Sequence, residues 1–224
     1  NIYGLPYKFY KDGIKRYGFH GTSCKYILRK IKGNKIIICH LGNGCSITAI
    51  KNRKSFDTSM GFTPLEGLIM GCRSGNLDPA IVLYLLKNKK INEVSNILNN
   101  KSGLLGISGI SNDIRDLKKS KNKRAKLALD VFTYRIVKYI GAYIAAMNGI
   151  NSIVFTGGIG ENAHYLRKDI LRNFEFLGLK LDNNKNTKNK EIISIKSSKI
   201  KVFVIKTNEE IMMVEEVLRV LNKH

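Results

Sequence analysis

Residues 39–80, CHLGNGCSITAIKNRKSFDTSMGFTPLEGLIMGCRSGNLDPA, restrict the architecture more than any other part of the 224-residue chain. Ile36-Ile37-Ile38-Cys39 is an apolar run of strand length, and it ends in His40-Leu41-Gly42-Asn43-Gly44. Residues 45–50 (CSITAI) follow as a second strand, residues 51–54 turn the chain again, and residues 55–58 form a third short strand. Two glycines around an asparagine suit a tight corner, where left-handed or mirror-β angles cost least. A corner without side chains also lets backbone N–H groups come close to an anion. A plain antiparallel meander explains the same residues, so further signals are needed to decide between a turn and a site.

Those signals lie on both sides. Residues 17–25 (YGFHGTSCK) are a loop of mixed glycine and aromatic character, with Ser23 placed to cap a helix reaching Ile31. Residues 59–76 are rich in Gly and Met and hold Arg73 between two glycines, in Gly71-Cys72-Arg73-Ser74-Gly75. Asp78-Pro79 starts a helix well, with Asp as the cap and Pro in the first turn. Residues 91–99 read as another helix, and residues 103–109 (GLLGISG) as a glycine-spaced loop leading to Asp113-Ile114-Arg115. Residues 124–148 form a long helix that looks too apolar for one wet face, which predicts packing between layers or at a subunit contact. Ile153-Val154-Phe155 is a buried strand entering Thr156-Gly157-Gly158-Ile159-Gly160-Glu161-Asn162, after which a helix is expected. Strand, glycine-rich turn and helix start together offer free N–H groups to phosphate, although the stretch lacks the GK[ST] ending of a Walker A loop. Residues 183–190 read as a polar, flexible insertion; residues 201–205 are the last strand; Asn208 is placed to cap a broadly apolar final helix.

Composition narrows the partners. The net charge is +22, yet lysines are spread along the chain beside Asn and Ile rather than gathered in a basic stripe with interleaved aromatics. The excess is therefore read as a solvated surface, and no nucleic-acid partner is expected. Cys24, Cys39, Cys45 and Cys72 contain no CxxC pair and no zinc-like spacing with His20 or His40, which fits a reduced, cytoplasmic setting. The longest apolar candidate, residues 125–147, is broken by Lys126, Asp130, Arg135 and Lys138, so no membrane partner is expected either.

Taken in order, YGFHGTSCK, HLGNG, DTSMGFTPLEG, MGCRSGNLDPA, FTGGIGEN and TNEE (residues 207–210) resemble the successive signatures of the acetate kinases, of the acetate-and-sugar-kinase, actin-like superfamily. The resemblance implies an α/β fold, an actin-like ATPase (ribonuclease H-like) domain with a mixed sheet, an antiparallel three-strand meander and flanking helices. It implies phosphoryl transfer from ATP to acetate, giving acetyl phosphate and ADP reversibly. It makes His20 and Arg73 the catalytic pair that stabilises the transferring phosphoryl group. It assigns His40, Leu41, Gly42, Asn43 and Gly44, with Gly158, Ile159, Gly160, Glu161 and Asn162, to the phosphates or ribose of the nucleotide. Asp113, Ile114 and Arg115 would border the nucleoside, and Glu209 would hold Mg²⁺ directly or through water. A homodimer is implied as well. The main departure stands at Cys24, where the resemblance calls for a second histidine; Cys45 and Cys72 depart too, where the resemblance calls for Ala or Ser and for Thr, with little effect expected.

The resemblance covers only the second half of an acetate kinase, and the first residue is Asn rather than Met. The chain is therefore expected to be a piece of a longer product. Residues 1–209 would form the nucleotide-side domain, and residues 210–224 a terminal helix that packs on an absent N-terminal domain. That absent half would carry the acetate pocket, an Asn near the metal, and an Arg and an Asp at the carboxylate site. Two alternatives share the ATP loops: a kinase of another short-chain acid such as propionate or butyrate, and a non-catalytic actin-like nucleotide-binding module.

Overall fold

In the computed structural model, residues 1–221 are described. Five strands form one sheet: β1 (Lys35–Leu41), β2 (Cys45–Lys51), β3 (Lys54–Thr58), β4 (Ser152–Thr156) and β5 (Lys201–Val204). Its order is β3-β2-β1-β4-β5, with β2 and β3 antiparallel and β4 parallel to both β1 and β5. In β4 every residue is buried, as befits a parallel strand covered on both faces. β3 lies at the sheet edge, and its first residues, including Lys54 and Ser55, are exposed. A polar, charged edge of this kind discourages pairing with a further strand.

Helices connect the strands: α1 (Tyr7–Lys11), α2 (Gly21–Lys30), α3 (Pro79–Leu86), α4 (Ile91–Asn100), α5 (Gly103–Ser108), α6 (Ile114–Lys119), α7 (Lys123–Ala146), α8 (Gly157–Asn162), α9 (His164–Leu171), α10 (Asn183–Thr187) and α11 (Glu209–Leu221). The chain divides into two compact units. One comprises Asn1–Gly18, Gly42–Ile47 and Ser59–Ile140; the other comprises Phe19–Leu41, Thr48–Thr58 and the chain from Gly141 onward.

In the second unit, Cys24, Ile27 and Ile31 on and after α2 pack with Ile36 and Ile38 of β1, Ile50 of β2, Val154 of β4 and Ile205 after β5. Removing an isoleucine of this size from water is worth roughly 1.5–3 kcal/mol. In the first unit, Asp78 caps α3 by accepting from the Ala80 N–H at 2.9 Å, with Pro79 in the first turn, as its sequence requires. α7 is amphipathic rather than apolar all round. Ala125, Ala128, Phe132, Ile136, Ile140 and Tyr143 form a buried stripe at helical spacing, while Leu127 and Tyr134 are exposed.

Other sequence expectations are corrected by tertiary context. Gly42 does not take a positive φ. The left-handed pair sits in the next turn, at Asn52 and Arg53, with φ of 52° and 61°, the pattern of a type I′ hairpin. Residues 103–108 are the helix α5 rather than a loop, and residues 183–187 are the helix α10 rather than an irregular insertion. Asn186 of α10 is 2% exposed, so the segment is pinned rather than loose. Ser23 lies inside α2 instead of capping it; His20 occupies the cap position.

The thiols give a check on this packing. Cys39 and Cys45 are wholly buried and Cys24 nearly so, whereas Cys72 is half-exposed; all four are unpaired. Burial pushes the Cys24 thiol up to about 11 and the Cys45 thiol up to about 12, and Cys39 higher still. In the native protein at neutral pH, Cys72 should react with a thiol reagent in a fast phase, and the other three only after denaturant is added. Rapid labelling of Cys39 in the native state would contradict this core.

Candidate functional site

In the second unit, β1 delivers His40 at its C-terminal end, directly opposite Thr156 in the parallel register with β4. The His40 ring stacks on the ring of His20, centroids 4.0 Å apart and planes 19° from parallel. His40 Nδ1 lies 3.0 Å from the hydroxyl of the buried Ser23. Burial lowers the His40 pKa, while Glu209 and then Glu161 act in the opposite sense. Both carboxylates thus lie within electrostatic reach of the His40 imidazole. Cys24, where the resemblance called for histidine, is buried; its thiol is hydrogen-bonded to the Thr48 side chain. It fills core space there instead of presenting an imidazole.

The glycine stretch after β4 is itself the helix α8; no separate turn precedes it. Gly157 has φ +77°, and a Cβ there would stand 2.7 Å from the Leu41 carbonyl oxygen, so glycine is required where α8 leaves the sheet. Gly158 is exposed, Ile159 half-buried and Gly160 buried. Asn162 Nδ2 donates to the Gly158 carbonyl at 2.9 Å. One oxygen of the Glu161 carboxylate accepts from the backbone N–H of Gly157 at 3.0 Å and of Thr207 at 3.4 Å.

Glu209 is half-buried in the first turn of α11, and Asn208 caps that helix by accepting from the Ile211 N–H at 3.0 Å. The Thr207 and Thr156 hydroxyls are buried with no hydrogen-bond partner. Buried oxygens of this kind are where a water or an ion is expected. Among the described residues no group of three or more His, Cys, Asp or Glu could hold an ion alone. The half-buried Glu209 carboxylate fits a hard cation shared with phosphate oxygens, which needs only one or two carboxylates.

In the first unit, the Gly42 N–H donates to the Gly44 carbonyl at 3.1 Å and Asn43 is exposed. The loop bearing Arg73 is held by its backbone. The first N–H groups of α5 and its cap, which have no partner within the helix, donate to that loop: Ser102 to Cys72, Leu104 to Met70 and Leu105 to Gly71, each at 2.9 Å. The half-buried Arg73 guanidinium makes only long contacts, to the Pro64 carbonyl at 3.4 Å and Met70 Sδ at 3.6 Å. Among the described residues it forms no ion pair. Asp113 caps α6 by accepting from the Arg115 N–H at 2.8 Å, and its carboxylate pairs with the exposed Arg115 guanidinium at 2.5 Å. Those hydrogen bonds hold Asp113 below the usual carboxylate range. Ile114 is buried beneath the pair.

Arg167 of α9 was missed by sequence reasoning. It is fully buried, and it donates to the Gly160 and Glu161 carbonyls at 2.8 and 2.9 Å. The signal was present: Arg167 falls on the buried helical stripe of Ala163, Leu166, Ile170 and Leu171, where a charged residue has no solvent-facing reason to be.

The mixed five-strand sheet with helices on it is an α/β fold of the actin-like ATPase class. A family model for the Acetokinase family matches residues 1–215, and the chain belongs to that family. It is 54% identical to an acetate kinase of Carboxydothermus hydrogenoformans, over 99% of this chain and 60% of that protein. It is 52% identical to one from Acetivibrio thermocellus, over 98% and 59%. A solved acetate kinase of Porphyromonas gingivalis superposes with a TM-score of 0.92 at 42% identity, over 98% of this chain and 59% of that one. A propionate kinase of Francisella tularensis superposes with a TM-score of 0.89 at 43% identity, over 96% and 58%. The chain thus spans about 60% of the length of the curated relatives it matches. Among the described residues no helix is long and apolar enough to cross a membrane.

Proposed function

We propose that this chain is the nucleotide-side part of an acetate kinase, working with a further segment that supplies most of the acyl pocket. The observation that carries the proposal is the family match running over residues 1–215. In the reaction, a carboxylate oxygen of acetate attacks the γ-phosphorus of ATP, the bond from that phosphorus to the bridging oxygen breaks, and ADP leaves as acetyl phosphate forms. His20 and Arg73 donate hydrogen bonds to the equatorial phosphoryl oxygens, where the protein's main task is positioning and charge neutralisation. An Arg73 guanidinium without a carboxylate partner suits that task. His40 orients His20 through their stack. His40, Leu41, Gly42, Asn43 and Gly44, with Gly158, Ile159, Gly160, Glu161 and Asn162, make up the phosphate and ribose side, and Asp113, Ile114 and Arg115 border the nucleoside. Glu209 would hold Mg²⁺ directly or through water, and the ion would supply charge neutralisation.

Residues 1–209 serve as the nucleotide domain, and the terminal helix packs against the further segment. Its support is α11 itself: Met212 is buried, but Met213, Val214, Val217 and Leu218 are each more than half exposed. Residues 222–224 of that helix expectation lie outside the described residues. A homodimer and a cytoplasmic setting complete the proposal; the unpaired thiols suit the latter.

Two assays test it. A fluorescent ATP analogue should bind the 224-residue chain in the presence of Mg²⁺ and be displaced by ADP. A coupled assay for acetyl phosphate should show turnover only when the chain is part of the longer polypeptide. Turnover by the isolated chain at the rate of a complete acetate kinase, or no nucleotide binding at all, would overturn the proposal. The likeness to a propionate kinase supports a second reading, in which kcat/KM is higher for propionate than for acetate.

A further inference from the structure

We propose that Glu161 and Arg167 form a clasp that positions the nucleotide corner against the segment delivering Glu209, and that the Glu161 carboxylate acts by holding backbone rather than by touching the nucleotide. The inference rests on the nucleotide-site reading above and refines the role of one of its residues.

Glu161 is held at both ends. Its carbonyl and that of Gly160 accept from Arg167 Nη1, at 2.9 and 2.8 Å. Its carboxylate reaches back four residues to the Gly157 N–H and across 46 residues to the Thr207 N–H, through the same oxygen. Thr207 stands two residues before Glu209. One side chain therefore ties the start of α8 to the entry of α11. That oxygen is already engaged by two backbone N–H groups.

Arg167 is the anchor, and each of its N–H groups is used. Nε donates to Asn186 Oδ1 at 2.8 Å, and Nη2 donates to the Asn186 carbonyl at 2.8 Å and to Asn189 Oδ1 at 2.6 Å. With the two bonds from Nη1 this makes five bonds for five donors. Asn186 in turn donates to the His164 carbonyl at 2.9 Å, and Asp182 caps α10 by accepting from the Lys185 N–H at 3.0 Å. Asn186 and Asn189 thus supply neutral acceptors for the guanidinium. Among the described residues no carboxylate pairs with Arg167. Burial lowers its pKa to about 10, which still leaves it charged at neutral pH. A cation buried without an anion is held for the geometry of its fork, which lysine does not share.

Backbone hydrogen exchange and nucleotide titration of the 224-residue chain test the clasp. In Glu161→Ala without nucleotide, the Gly157 and Thr207 amides should exchange about tenfold faster, the effect of losing one hydrogen bond to a charged group. Glu161→Gln keeps an acceptor oxygen and should stay within about threefold of the parent. Arg167→Lys should speed the same two amides although it alters neither of their direct bonds. Affinity for the fluorescent ATP analogue should fall in proportion to the exchange effect across the series, with and without Mg²⁺. Unchanged exchange in Glu161→Ala alongside weakened nucleotide binding would overturn the clasp and make Glu161 a direct ligand. If the parent chain binds no nucleotide, the functional reading fails, while the clasp is still judged by exchange alone. If Arg167→Lys does not fold, the two Glu161 variants decide.

Discussion

Replacing either His20 or Arg73 with alanine, in the longer polypeptide that contains these 224 residues, is expected to lower turnover roughly 100- to 1,000-fold. The Michaelis constant for ATP should move little. Each side chain is proposed to meet the phosphoryl oxygens most strongly as charge spreads over them, so kcat and kcat/KM should fall together. Positions differ in how they tolerate milder changes. Arg73→Lys keeps the charge but loses the planar fork, and should recover only part of the loss. His20 also occupies the cap position of α2 and stacks on His40, so its alanine variant needs a stability control. A thermal midpoint close to the parent's, together with the kinetic loss, assigns the effect to chemistry. Equal turnover in parent and variants would instead support a non-catalytic nucleotide-binding module.

How far this arrangement could be read from residues alone depended on where each signal resides. The strands, the Asp78-Pro79 helix start and the Asn208 cap were legible because their causes are local: apolar runs, a cap acceptor, a proline in the first turn. α8 was not legible, because a GGIGEN helix is poor in intrinsic propensity and is held by a Glu161 carboxylate on its first amide. α10 was hidden for a related reason. Its Asn- and Lys-rich sequence reads as solvent-loving, but its order comes from a buried Arg167 far away in sequence. The same holds for α5, whose leading N–H groups find partners in the Arg73 loop rather than in neighbouring side chains. Ser23 looked like a cap from its position, yet its hydroxyl serves His40. Motif resemblance located the proposed site residues; only coordinates show what supports them.

That support makes Gly103→Ala a severe substitution, with an expected loss of at least about 3 kcal/mol. Gly103 has φ +62°, and an added Cβ would stand 2.2 Å from the Met70 carbonyl oxygen and 2.7 Å from that of Arg73. These are backbone atoms, so no side chain can swing aside. Relief requires moving the loop, which breaks the 2.9 Å bonds from Ser102, Leu104 and Leu105 that hold it. For a chain of this length such a loss lowers the thermal midpoint by roughly 6–12 °C. Gly141→Ala is the matched control: Gly141 lies within α7, and its Cβ would meet nothing within 4 Å. There the same substitution should stabilise by about 0.5–1 kcal/mol, since alanine has the higher helix propensity. In the longer polypeptide, Gly103→Ala should also lower turnover more than it weakens ATP binding, because the displaced loop carries Arg73. A Gly103→Ala protein as stable as the parent would mean that α5 does not hold the Arg73 loop through these carbonyls.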